Sequence, residues 1–243
     1  MTRRILLLLS ALALAAAPAR AQEPDSVLTD EGPVNTGSSP FQITPSIGVM
    51  LQDESTALQR TTGVLGLDFI YRLNDIIGLG FTGSVARPTT DGEFFPLVRI
   101  PAGDTSLYYR VSQNVVQYTF GIQGQAKLQL GRYAPYATAG LGRYLFSLDP
   151  QAFDNVRRYG GPMFSLGAGV HVPLGSRAGM SIDLRDVIFT SFDRDEFDAT
   201  DPRMRDPRFD PVPGGKPAAK STVHNFRLTL GVSFIPSARE GTP

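Results

Sequence analysis

The chain has no cysteine and only two histidines among its 243 residues. Without thiols, a disulfide framework, a thiolate metal site and a lipidated N-terminal cysteine are excluded. His171 and His224 are the only imidazole bases available to activate a nucleophile, which makes the sequence a poor enzyme candidate. The formal charge is zero, from 23 basic and 23 acidic residues, so nothing points to a nucleic-acid partner. Beyond residue 21 no apolar run approaches the roughly 20 residues of a spanning helix. If the chain crosses a membrane, it must do so as a closed β-barrel, because lipid leaves unpaired backbone groups unsatisfied.

What is present begins with a secretory pattern. Arg3 and Arg4 form a basic end, Ile5 to Ala17 an apolar run, and Ala19-Arg20-Ala21 a small-x-small cleavage site. Residues 1–21 therefore read as a signal peptide. Its removal takes away Arg3, Arg4 and Arg20 and leaves 20 basic against 23 acidic residues. Residues 22–40 are polar and broken by Pro24, Pro33 and Pro40, as expected of a disordered periplasmic lead-in.

From Phe41 onward apolar residues recur at every second position, the period of a strand with one apolar and one polar face. The pattern predicts staves at 41–52, 63–73, 76–86, 116–129, 133–146, 159–174, 178–189 and 223–235. Parity does not settle the facing of 133–146. The segments 94–100 and 106–111 flank Pro101 to Asp104 and predict an extra hairpin outside the barrel. Connections alternate between short (74–75, 131–132, 175–177) and long (53–62, 87–113, 147–158, 190–221). An even strand count with alternating turns and loops fits a membrane barrel. Aromatics near strand ends predict two interfacial rings. One holds Phe41, Tyr71, Tyr133, Tyr136 and Phe234, the other Tyr118, Tyr144, Phe146, Phe189 and Phe226.

The last stave, V-H-N-F-R-L-T-L-G-V-S-F-I, places Phe226, Leu228, Leu230, Val232 and Phe234 on one face. It resembles the C-terminal strand by which outer-membrane barrels are recognised for assembly, although nine residues follow Phe234. Tyr133 to Gly142 matches a P-Y-x-x-x-G-x-G strand, and His224-Asn225-Phe226 a closing-strand opening. On these motifs the region 41–235 resembles the small outer-membrane β-barrel family typified by the transmembrane domain of outer membrane protein A. The resemblance implies an all-β, about eight-stranded antiparallel up-and-down barrel in the bacterial outer membrane, with residues 236–243 as a short tail. It implies outer-membrane lipid and the barrel-assembly machinery as partners, and says almost nothing about activity.

Polar-face parity assigns Asp68, Arg72, Lys127, Asp183, Arg185 and Arg227 to the lumen. A basic residue on the lipid face near the midplane costs about 2–4 kcal/mol, which favours the same assignment. Eight strands leave an interior just wide enough for side chains. Unpaired buried charge is costly, so the opposed charges should pair and close the bore. Asp183 is expected to meet Arg227, and Asp68 to meet Arg72 or a residue across the barrel. Inward glycines such as Gly48, Gly66, Gly78, Gly80, Gly121, Gly167 and Gly169 argue instead for a narrow pore carrying small or apolar solutes. A secreted lipocalin-like carrier would need the two faces inverted.

The loop 190–221 is rich in acids, Asp193, Asp195, Glu196, Asp198 and Asp201, but lacks the glycine and terminal glutamate of a calcium loop. Interleaved arginines (Arg194, Arg203, Arg205, Arg208) make lipopolysaccharide phosphates a candidate contact. No metal, cofactor or catalytic residue is expected. The expectation is a monomeric, non-enzymatic barrel with a structural or surface-interaction role.

Overall fold

The alternating segments close into a barrel of eight antiparallel strands. The computed structural model describes residues 40–91, 98–109, 112–149, 157–175, 177–197 and 218–236. The signal peptide, the lead-in up to residue 39, the loop portion 198–217 and the tail from residue 237 lie outside the described residues. The strands are β1 (Phe41–Leu51), β2 (Thr61–Arg72), β3 (Ile77–Ala86), β4 (Val98–Ala102), β5 (Thr105–Tyr109), β6 (Asn114–Lys127), β7 (Ala134–Asp149), β8 (Arg157–Pro173), β9 (Ala178–Thr190) and β10 (Thr222–Phe234). Barrel order is β1-β10-β9-β8-β7-β6-β3-β2, with β2 returning to β1. Strands adjacent in the barrel follow one another in the chain apart from the β3–β6 and β1–β10 pairs, which is an up-and-down barrel with one insertion.

That insertion is the predicted hairpin, β4 with β5, but its turn is shorter than expected. Pro101 and Ala102 pair with Ser106 and Thr105, leaving Gly103-Asp104 as the connection. Gly103 has φ 62°, which glycine adopts without a Cβ clash, and two-residue turns of this kind match strand twist. A two-stranded ribbon has free edges on both sides, so a proline without an N–H is tolerated there.

The outer wall carries the apolar parity. Ile47, Leu65, Phe81, Phe120, Leu166, Ile182 and Leu230 are each half exposed or more. The inner wall carries Gln, Thr, Ser, Gly and the charges. This is the reverse of a lipocalin, whose apolar side chains point inward. Phe41 packs against Phe69 and Tyr71, with ring centroids 5.5 and 5.1 Å apart, at the rim that also holds the short turns.

Strand β7 resolves the facing that parity left open. Tyr136, Thr138, Tyr144, Phe146 and Leu148 point inward, and Ala137, Ala139, Leu141 and Arg143 outward. Four predicted ring members are therefore not at the lipid interface: Tyr136, Tyr144, Phe146 and Phe189 are buried inside. The ambiguity had a physical source. Near the outer end of β7 the inner face is apolar, packed in a core, while the outward row carries Arg143 and Ser147, so the two halves of the strand give opposite parities. That core lies at the long-loop end, where Tyr144, Phe146 and Phe189 meet Phe192 and Phe197 from the loop after β9 and Leu58 from the β1–β2 loop. Phe146 and Phe197 cross edge to face at 5.0 Å, and Tyr144 lies 4.4 Å from Phe189. Such pairs add about 0.5–1.5 kcal/mol each beyond their buried area.

Candidate functional site

The lumen is built from inward side chains in three levels. In the middle, Arg185 of β9 reaches across the bore and uses its whole guanidinium. Nε donates to Asp183 Oδ1 at 2.7 Å and Nη2 to Asp68 Oδ2 at 2.8 Å. Nη1 donates to Gln123 Oε1 at 2.8 Å and to Thr82 Oγ1 at 3.1 Å. Tyr136 Oη donates to Asp183 Oδ2 at 3.0 Å, and Gln123 Nε2 to Asp68 Oδ1 at 3.2 Å. One planar fork thus ties together β2, β3, β6 and β9, a geometry that lysine could not supply. Only 3% of the Arg185 side chain is exposed, so these bonds are poorly screened.

The predicted Asp183–Arg227 pair does not form. Register places Arg227 opposite Arg185, and Thr229 opposite Asp183. Both carboxylates go to Arg185, and Arg227 Nε is buried without a partner. Arg72 does not meet Asp68 either; its Nη2 donates to Gln42 Oε1 at 2.5 Å. Lys127 lines the same cavity as Asp68, Asp183 and Arg185 near the short-turn rim; its backbone N–H donates to Ile76 O at 2.7 Å, and its ammonium makes no hydrogen bond to any described residue. Of the six expected lumen charges, the structure brings three into contact: Asp68, Asp183 and Arg185. Gln123 and Thr82 already had inward parity, but their part in this cluster depends on cross-barrel distances. Tyr136 was hidden by the aromatic-ring expectation.

The inward glycines do not leave open space. At Gly169 the ring of Tyr136, opposite in register, fills the position a Cβ would take.

Above the charged level, Gln52 Nε2 donates to Gln117 Oε1 at 2.8 Å, and Gln117 Nε2 approaches Met50 Sδ at 3.2 Å. Asn225 Oδ1 accepts from the Asp53 backbone N–H at 3.1 Å, which ties the β1–β2 loop to β10. Asp53 is also linked to Ser55 and Lys220. Partial burial opposes its ionisation, but hydrogen bonds from Ser55 and the Lys220 ammonium outweigh that, and its carboxyl sits below the ordinary value.

The two histidines are far from this cluster in role. His171 Nε2 and Ser233 Oγ are 2.7 Å apart inside the short-turn end. His224 Nδ1 and Asp186 Oδ2 are 2.7 Å apart on the outward face. Among the described residues no group of three or more His, Asp or Glu side chains is placed to hold a metal.

A family model for the outer membrane protein beta-barrel domain matches residues 5–234. The chain belongs to that family. This outer-membrane barrel is thereby placed in the bacterial outer membrane. Similar solved structures include Neisserial surface protein A, at 14% identity over 82% of this chain and 98% of that one, with TM-score 0.49. The N-terminal β-barrel domain of Pseudomonas aeruginosa OprF is 13% identical over 82% of this chain and 99% of that one, with TM-score 0.40. Ail, the attachment invasion locus protein of Yersinia pestis, solved with the heparin analogue sucrose octasulfate, is 12% identical over 80% and 99%, with TM-score 0.38. No curated protein matches the sequence.

Proposed function

We propose that this outer-membrane barrel is a non-enzymatic protein with a closed lumen, serving a structural or surface-interaction role through its long loops. The observation that carries the reading is the Arg185 cross-bore cluster beneath a buried aromatic core. An ion crossing the barrel would have to separate Arg185 from two carboxylates and then pass the rings of Tyr144, Phe146 and Phe189. Breaking one partner out of such a pair costs about 3–5 kcal/mol.

The chain is exported with loss of residues 1–21. The assembly machinery reads the outward row Phe226, Leu228, Leu230, Val232 and Phe234, and lipid then covers that row. Lipopolysaccharide phosphates are the candidate outer contact for the arginines of the 190–221 loop. The hairpin around Gly103 and that same loop are where recognition would sit, since binding tends to lie on loops held by a rigid scaffold. The purified wild-type monomer in a planar bilayer should show little steady conductance. A stable, ion-selective conductance would overturn closure and establish the narrow-pore reading instead.

A further inference from the structure

Below the Arg185 cluster the bore is not filled. A small cleft open to solvent lies at the short-turn end, walled by residues of β1, β2, β6, β7, β8, β9 and β10. Its charge is unbalanced. The inward charged side chains of the described barrel are Arg72, Lys127, Arg185 and Arg227 against Asp68 and Asp183. Both acids are already committed: Arg185 holds them, and Tyr136 and Gln123 take further oxygens. The Lys127 ammonium lines the cavity with no hydrogen-bond acceptor among the described residues, Arg72 stands beside it, held by the neutral amide oxygen of Gln42, and the exposed Asp75 carboxylate at the turn offsets part of their positive charge.

A second observation is independent of charge. Ser181 and Thr229 also line the cavity, are 8% and 4% exposed, and their hydroxyls make no hydrogen bond to any described residue. Both hydroxyls are open to the cavity, so a bound ligand would take the place of water on them. They face one space, together with the Gln125 side chain and the Lys127 ammonium. The only uncommitted charge on the wall is positive, and the hydroxyl and amide groups beside it can donate. An anion with several acceptor oxygens answers both the ammonium and the hydroxyl donors.

We infer that this blind vestibule is a binding site for a small anionic group, a phosphate or carboxylate, entering from the short-turn side. Lys127 supplies the charge, Ser181 and Thr229 supply hydroxyl donors, and Arg72 attracts the anion at the mouth. The site rests on the closed middle level proposed above. Conductance tests that closure, whereas anion binding is read separately, so the two failures are distinguishable.

The test uses the mature chain folded in phosphate-free maltoside micelles. Sodium phosphate is titrated at constant ionic strength while the backbone amide resonances of Ser181 and Thr229 are followed. A parallel arm adds short-chain phosphatidylglycerol and separates a lipid headgroup from the free anion. A saturable shift is expected in at least one arm, at least tenfold weaker in Lys127→Gln and unaltered in Lys220→Gln on the opposite rim. Heat-modifiable gel migration verifies that each variant is folded. If Lys127→Gln does not fold, Arg72→Gln decides, with a severalfold loss of affinity expected. No saturable shift in either arm, or the same affinity in the folded cavity variants, would overturn the site.

Discussion

Tyr136 of β7 lies opposite Gly169 of β8, and its ring covers the glycine while its hydroxyl donates to Asp183 at 3.0 Å. The bare backbone at 169 lets the ring lie flat against the wall, which aims the hydroxyl into the bore. Gly169→Ala should push the ring off its seat and destabilise the barrel by about 1–3 kcal/mol, as overpacking does. Tyr136→Phe keeps the ring but leaves Asp183 Oδ2 only the long bond from Arg185 Nη2 at 3.5 Å, a loss of about 1.5–3 kcal/mol for a bond to a charged group. Urea unfolding in lipid vesicles measures both. Wild-type stability in Gly169→Ala would show that the ring is not seated on the glycine.

The two facing arginines of β9 and β10 should behave oppositely. Arg185→Met removes the partner of both Asp68 and Asp183, and unfolding should become easier by about 3–5 kcal/mol. Arg227→Met removes a buried cation whose Nε has no partner, and stability should be unchanged or increased. Equal losses in the two variants would mean that Arg227 shares the carboxylates in the membrane.

The link between the β1–β2 loop and the entry to β10 should be acid-sensitive. Asp53 has a folded pKa below its ordinary 3.8, so its contribution is complete above that value. It is lost as pH falls through the lower, folded pKa. The amide resonance of Ser55, whose N–H donates to Asp53 Oδ1 at 2.9 Å, should titrate with a midpoint below 3.8 in wild type. The transition should be absent in Asp53→Asn. A midpoint at or above the ordinary value would refute the assignment.

The closing strand should control insertion rather than export. Phe234 lies outward and half exposed at the end of β10, where Ile43 of β1 pairs with it. Truncation before Val223 removes the partner of both β1 and β9 and leaves sheet edges that lipid cannot satisfy. Phe234→Ala should lower the folded outer-membrane fraction in a heat-modifiability assay, and the truncation should nearly abolish it. Normal membrane levels of the truncated chain would contradict this.

Strand number, the alternation of turns and loops, and which parity meets lipid were all legible from the sequence. The reason is local. A residue in a strand faces one of two sides, and lipid outside and polar groups inside demand opposite chemistry, so a period of two carries the fold. The same rule failed at β7, where an aromatic core made the inner face apolar at one end while Arg143 and Ser147 stand on the outer row. What chemistry the lumen holds was legible too: Asp68, Arg72, Lys127, Asp183, Arg185 and Arg227 all have inward parity. Who pairs with whom was not. Parity tells which way a side chain points, but pairing depends on register and on distance across a closed bore. Register set Arg227 beside Arg185 and Thr229 beside Asp183, while barrel closure brought Asp68 from β2 within reach of β9. Only the tertiary structure decided those two relations, because both join residues that no local period connects.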